Sequence, residues 1–337
     1  MRVLIVRLGA FGDIIHTLPL AADLAAAGHA VTWLCEDRWM PIIDGSPAIS
    51  RIVPLPRKLL RSHEVPLTHK LRALRRVVRA LRSERFDAVI DAQGLAKSAG
   101  WAAFSGARLR VGHGCARARE GSWLVSQRRA PLQAVHVIDQ QRALALTLGV
   151  RPSGGWRFPL PAWRGERDRA SQWLARERIA RPWVLNVGAG WPTKVWPEAR
   201  QSELLALLRG SGHTAVLVWG NDAELAAARR ICAAAGHGAV APPTTIPQLG
   251  GLLAHAEVVI SGDTGPLHLA LALGVPAVGL FGPVPAERNG PRGRGYRTLQ
   301  APGAAWERRD VSKVDMAAIS AEAVLGQARA ALSRMGA

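Results

Sequence analysis

RVLIVRLGAFGD, residues 2–13, decides how the chain is read. The run Val3–Val6 is apolar without alternation, which suits a parallel strand buried on both faces. It breaks into a loop carrying Gly9 and Gly12, and past Asp13 an Ala- and Leu-rich helical pattern begins. A strand, a glycine-bearing turn and a helix together open a doubly wound sheet. The pattern recurs downstream, with strands expected at 30–36, 50–55, 86–92 and 109–112. Residues 150–165 hold Pro152, Gly154, Gly155, Pro159, Pro161 and Gly165 with no periodicity, and so predict a linker. The alternation restarts at 182–188, 213–220, 238–242, 256–263 and 275–282, and 315–334 reads as helix. The expected architecture is α/β: a Rossmann-like domain over 1–150, a linker over 151–165, a second Rossmann-like domain over 166–314 and a C-terminal helix over 315–337. The two domains are expected to face each other across a cleft, with ligands at the carboxyl ends of the strands.

Length supports two domains, since 337 residues divide into two at roughly 150 per domain. Charge is harder to assign. The 44 basic residues outnumber 25 acidic ones, but 39 of the 44 are Arg. In a chain rich in Ala and Gly that bias has a coding origin as one reading, so +19 by itself names no partner. The distribution is more informative, because residues 51–85 hold eleven basic and two acidic residues, a net +9. Such a cluster suits an anionic partner: nucleic acid, phosphorylated lipid or a membrane surface. A solvated helix face is the other reading, since Leu67, Leu71, Leu74, Val77, Val78 and Leu81 recur at helical spacing with Arg between them. No apolar run approaches the roughly 20 residues of a membrane span, and the first residues do not read as a signal peptide. Cys35, Cys115 and Cys232 have neither disulfide nor metal-site spacing, which suits a reducing cytoplasm.

The strand-end loops carry the chemistry. Asp13 sits where it either caps the first helix or serves as a general base aimed at a bound hydroxyl. Asp91 heads a second loop beside Gln93, Gly94 and Lys97. Gly188–Lys194 follows a strand; its small residues leave backbone N–H groups accessible and Lys194 adds a point charge, so it suits phosphate. Thr264 and Gly265 stand at another strand-to-helix turn, where N–H donors and the helix dipole grip a diphosphate. Asp263 there reads as ordering the turn, and His268 as either structural or a ligand contact. Glu224, after Trp219-Gly220, is either a solvated helix residue or a ribose acceptor.

Six segments, in order, resemble one family: VRLGAFGDIIHTLP (6–19), VIDAQGLAKSA (89–99), VGAGWPTKVWP (187–197), VWGNDAE (218–224), SGDTGPLHLA (261–270) and GLFGPVPAERNGPRG (279–293). The family is the ADP-heptose–lipopolysaccharide heptosyltransferases, inverting glycosyltransferases of the GT-B architecture. The DAQGLAKSA stretch (91–99) and the run Arg117–Glu120 look most like heptosyltransferase I, which adds the first heptose to the Kdo sugar of the lipid A inner core.

The resemblance implies an acceptor-binding N-terminal domain and a nucleotide-sugar-binding C-terminal one. It implies Asp13 as catalytic base, Lys194, Thr264 and Gly265 on the donor phosphates, and Glu224 and Thr244 on the nucleotide. Asp263 and His268 fall near the donor sugar, and Arg57, Lys58, Arg61, Gln93, Lys97 and Arg119 at acceptor-binding positions. Implied partners are ADP-heptose, a Kdo-lipid A acceptor and the anionic cytoplasmic face of the inner membrane, with no nucleic acid, no cofactor and no metal ion. The chain departs from the family at Ala189, Gly190 and Val284, where hydroxyl side chains are usual. A related transferase with another acceptor, such as heptosyltransferase II, stays open. So do a nucleotide-sugar epimerase and a non-enzymatic nucleic-acid-binding protein.

Overall fold

The computed structural model describes residues 1–131, 134–152, 154–305 and 314–333. It divides into two units, Met1–Ala162 and Trp163–Ala337. The stretch read as a linker is split by that boundary. Its first part is tied to the first unit, where Pro159 O accepts from Ser46 Oγ and Trp156 Nε1 donates to Asp139 at 2.7 Å; Ser153 lies outside the described residues.

In the first unit six strands run parallel: β1 (Arg2–Val6), β2 (Ala30–Glu36), β3 (Arg51–Leu55), β4 (Ala88–Asp91), β5 (Leu109–His113) and β6 (Arg128–Ala130). Their order is β3-β2-β1-β4-β5-β6. Val3–Val6 lies in register with Val31–Leu34 on one side and Ala88–Asp91 on the other. Both faces of this central strand are buried, which is why its apolar run does not alternate. On one face Leu4 and Val6 meet Val77, Leu81 and Ala102 from two covering helices. The helices Phe11–Ala26 and Val137–Leu146 pack on each other. They are joined by a buried ion pair, in which Arg142 donates from Nε and Nη2 to the two oxygens of Asp23 at 2.7 and 3.1 Å.

The second unit repeats the plan with β7 (Pro182–Asn186), β8 (Thr214–Val218), β9 (Ala239–Val240), β10 (Val258–Gly262), β11 (Ala277–Phe281) and β12 (Tyr296–Gln300). The order is β12-β11-β10-β7-β8-β9, all parallel. Counted from its own first strand, this is the order of the first sheet. The expected C-terminal helix is found as Ala321–Ser333, preceded by a short turn at Met316–Ala318. It packs on β10, β11, β12 and the helix Glu198–Leu208. The part of the expected helix at 334–337 lies outside the described residues. No helix among the described residues is long and apolar enough to cross a membrane.

Nine of the strands fall within the expected segments and β5 runs one residue past its own, to His113, while β6 and β12 lie outside them. Both lie at sheet edges, and β6 reads Arg-Arg-Ala, with its two arginines exposed. A strand with one neighbour is not driven to be apolar on both faces, so it leaves no continuous run to detect. In sheets of this order, ligands gather where the connections diverge, beyond the carboxyl ends of the first and fourth strands. Those points are β1/β4 in the first unit and β7/β10 in the second.

Candidate active site

At the first switch point the chain leaves β1 through Arg7 and enters the helix Phe11–Ala26. Ala10, not Asp13, is the N-cap, and Asp13 is the third helical residue. The expected capping position is therefore corrected by three residues. Asp13 still serves the helix start by reaching back, its Oδ2 accepting from the Ala10 amide at 3.3 Å. The same oxygen pairs with Arg7 Nη2 at 2.6 Å. Arg7 is buried and its Nη1 donates to Ala92 O at 2.6 Å, whereas the Asp13 side chain stays 43% exposed. An oriented and accessible carboxylate results, which is the geometry a general base needs. Gly9 makes room for Trp39, whose indole a Cβ at that position would strike.

Asp91, at the end of β4, is buried and takes Gln93 and Gly94 amides on Oδ1, each at 3.0 Å. Burial pushes its pKa up, against the pull of these hydrogen bonds, Ser98 and Arg7. It orders the turn. Gln93 Oε1 accepts from the Leu8 amide at 2.9 Å and so laces the β1 and β4 loops together. His113, at the end of β5, is pushed down to about 3, first by burial and then by Arg117 and Arg7, and is therefore neutral. Lys97 is exposed on the helix Ala96–Phe104, and Arg119 is exposed while its amide donates to Gly94 O at 2.9 Å. Of the basic trio, Arg57 is half-buried and ion-paired with Glu36 at 3.1 Å. Lys58 and Arg61 are exposed on the short helix Arg57–Arg61.

The second switch point holds a denser polar cluster. Lys194 closes a short turn, Pro192–Lys194, and its Nζ meets the Asp263 carboxylate at 2.5 Å and Asp263 O at 3.2 Å. The Trp191 ring centroid lies 5.7 Å from the same ammonium. Asp263 also receives Asn289 Nδ2 and faces His268 Nε2 at 3.3 Å. Burial would raise its pKa, but His268 and Lys194 outweigh that and hold it well below the usual carboxylate range. Asp263 thus fixes Lys194 in place, and His268 is buried against it.

Thr264 is the N-cap of the helix Gly265–Leu273, yet its hydroxyl does not cap that helix. It accepts from Asn186 Nδ2 at 3.1 Å and lies 3.0 Å from Ser261 Oγ. The amides at this helix start are left to a ligand or to water, and the dipole favours an anion. Glu224 Oε2 accepts from the Gly220 amide at 2.7 Å, and its carboxylate occupies the space where a Cβ on Gly188 would lie. Glu224 therefore bridges the loops after β7 and β8, beside the Gly188–Lys194 turn. Thr244 is half-buried just ahead of Thr245, which caps the helix Ile246–Leu253.

Sequence reasoning did not single out Arg7, Asn186 or Asn289. Arg7 left a signal, a cation directly after the apolar run of β1 and six residues before Asp13. The two asparagines left none, since a lone Asn at a strand end or in a short helix is common.

Two sheets of one nucleotide-binding strand order, with an accessible carboxylate at one switch point and a fixed cation beside a helix start at the other, give a two-domain α/β fold of the kind found in GT-B glycosyltransferases. The model of glycosyltransferase family 9 (heptosyltransferase) matches residues 74–317. The chain belongs to that family. It is 34% identical to lipopolysaccharide heptosyltransferase 1 of Pseudomonas aeruginosa over 301 residues, covering 87% of this chain and 82% of that protein. The structure of E. coli heptosyltransferase WaaC with ADP superposes with a TM-score of 0.80 at 27% identity, covering 98% of this chain and all of the other. The same enzyme with ADP-2-deoxy-2-fluoro heptose gives 0.76 at 28% identity, over 97% and 98% of the two chains.

Proposed function

We infer that the protein transfers heptose from ADP-heptose to the Kdo sugar of a lipid A-linked acceptor, building the lipopolysaccharide inner core at the cytoplasmic face of the inner membrane. The observation that carries this is the 34% identity to a heptosyltransferase 1 over 87% of the chain. Solved relatives holding ADP and a fluorinated ADP-heptose support the donor. In this reading Asp13, held by Arg7, takes the proton of the acceptor hydroxyl as its oxygen attacks the anomeric carbon. The bond to ADP breaks on the opposite side, so the configuration inverts. Lys194 and the amides starting the helix Gly265–Leu273 neutralise the departing diphosphate, with no metal ion needed for that task. Glu224 and the backbone near Thr244 take the nucleotide, and Asp263 and His268 border the donor sugar. Lys58, Arg61, Lys97 and Arg119 meet acceptor anions, while Arg57 and Gln93 hold the loops that present them.

The test is an assay of ADP-heptose with Kdo-lipid A in excess EDTA. Inverted heptosyl product and released ADP are expected. Product formed only from an already heptosylated acceptor favours the heptosyltransferase II reading, and donor conversion without any acceptor favours an epimerase.

Two substitutions separate the donor side from the acceptor side. Lys194→Ala is expected to lower kcat by about 10²–10³, as removal of one transition-state donor does, and to raise the donor KM. Because it leaves buried Asp263 without its cation, a thermal melt accompanies the kinetics. An unchanged donor KM and kcat would refute the role. Charge reversal at Lys58 and Arg61 is expected to raise the acceptor KM about tenfold or more, since hydrogen bonds to charged groups contribute about 1.5–3 kcal/mol each. ADP affinity, measured by calorimetry, should not move.

A further inference from the structure

Arg38 and Trp39, in the turn Asp37–Ile42 that follows β2, form with Phe11 a group to which the transfer scheme gives no task. The Arg38 guanidinium carbon lies 4.3 Å from the Trp39 ring centroid. Its Nε donates to Glu36 Oε2 at 3.0 Å, the oxygen that Arg57 Nε also approaches at 3.1 Å. Asp37 gives Oδ1 to the backbone amides of Arg38 and Arg57 at 2.9 and 3.4 Å. The Arg38 head is therefore held from one side only. Its Nη1 and Nη2 hydrogen-bond to none of the described residues, and the side chain is 46% exposed. Trp39 in turn stacks on Phe11, with centroids 6.1 Å apart at 27°, and both rings are half-buried. The indole N–H is buried against Gly9 without a hydrogen-bond partner among the described residues. Packing alone favours phenylalanine there, since a buried donor left unpaired costs stability. What tryptophan adds is the ring face that attracts a cation most strongly. Phe11 opens its helix two residues before Asp13, and the Glu36 amide donates to Leu8 O at 3.0 Å. The loop after β2 is thus fixed against the loop that carries the base.

We propose that this group recognises an acidic acceptor sugar: the Arg38 fork takes the sugar carboxylate, and the aromatic pair beside it takes the apolar face of the ring. A guanidinium oriented by Glu36 and stacked on an indole loses little freedom on binding, and its planar Nη pair matches the two oxygens of a carboxylate. Arg38 is then a specificity-determining residue, separate from Asp13, which acts on the hydroxyl. The identity of the sugar as the acceptor rests on the transferase reading; the affinity of the group for a sugar carboxylate does not.

The experiment titrates the full chain, with ADP present, with two soluble probes followed by NMR: the methyl glycoside of Kdo, and the same glycoside with its carboxylate reduced to an alcohol. The acid is expected to bind about tenfold or more tighter, the usual scale of a hydrogen bond to a charged group. Arg38→Leu should erase that preference, and Arg38→Lys should restore only part of it, because an ammonium lacks the planar fork. Trp39→Phe should keep most of it, since a ring still underlies the guanidinium. Arg38 is exposed and Glu36 keeps Arg57 as its partner, so unchanged melting is expected of Arg38→Leu. In turnover the same variant should raise the acceptor KM about tenfold, with kcat at saturating acceptor and ADP affinity unmoved. A parent that does not distinguish the probes, an Arg38→Leu variant that still does, or a loss confined to ADP affinity overturns the proposal. Arg38-dependent binding of the acid without heptosyl transfer to any acceptor would sink the transferase reading and leave the recognition site standing. Transfer by Arg38→Leu at the parental acceptor KM would do the reverse.

Discussion

Asp13→Ala is expected to lower kcat by about 10²–10⁴, the usual worth of a positioned general base, while ADP binds as before. The substitution removes a side chain that is 43% exposed, so no cavity opens in the core. Its local cost is the reach-back bond to Ala10 and one partner of Arg7, which keeps its bond to Ala92 O. Asp13→Asn separates the two roles. An amide oxygen still accepts from the Ala10 N–H and still faces Arg7, but it cannot take a proton at neutral pH. If Asn and Ala are equally inactive, Asp13 is the base. If Asn restores turnover to near the parental rate, the carboxylate is a helix-start device and the base lies elsewhere. Arg7 is a positioning residue in this scheme: it touches the base rather than the substrate.

The largest stability effect is expected at Asp23→Ala, a loss of about 3–5 kcal/mol from the first unit. The Asp23 side chain is 1% exposed and that of Arg142 is 7%. Removing the carboxylate takes the Asp23 counter-charge away from a buried guanidinium, which costs more than the intact pair contributes. Arg157 approaches Asp23 only at 4.0 Å and is half-exposed, so it replaces little of the lost contact. The measurement is urea unfolding followed separately for the two units, because one transition is not guaranteed in a two-domain chain. A loss below about 1 kcal/mol would place this pair with weak surface bridges. Replacing both partners by leucine should recover most of the loss, since apolar substitutes for a buried pair are often neutral or better.

Much of this molecule was legible before the structure. Runs such as Val3–Val6 and Val258–Ile260 lie in central strands, where both faces are buried, and burial on both faces is what produces an unbroken apolar run. β6 and β12 escaped because an edge strand has one neighbour and tolerates Arg or Gln. The loops of the site were legible through their position after strands and through the family resemblance. What was not legible was which side chain holds which. That Arg57 is tied to Glu36, that Gln93 accepts from Leu8 and that Asp263 gathers Lys194, His268 and Asn289 are facts of tertiary geometry. No local pattern encodes a partner 69 residues away. Asp13 shows the same limit at short range, since one acidic residue after Gly12 fits both an N-cap and a third helical position.

Each unit owns a complete sheet of the same strand order, its own core and its own switch point. Each also sets a cation beyond its first strand and a buried carboxylate at the end of its fourth: Arg7 with Asp91, and Lys194 with Asp263. A chain divided in this way lends itself to recombination. A seam at Ala162–Trp163 cuts no strand and no core, so halves taken from different relatives would each bring a finished piece of machinery. Under the proposed assignment of the acceptor to the first unit and the donor to the second, the two preferences would be inherited as separate cassettes, and new sugar linkages would arise by shuffling halves rather than by rebuilding a site residue by residue.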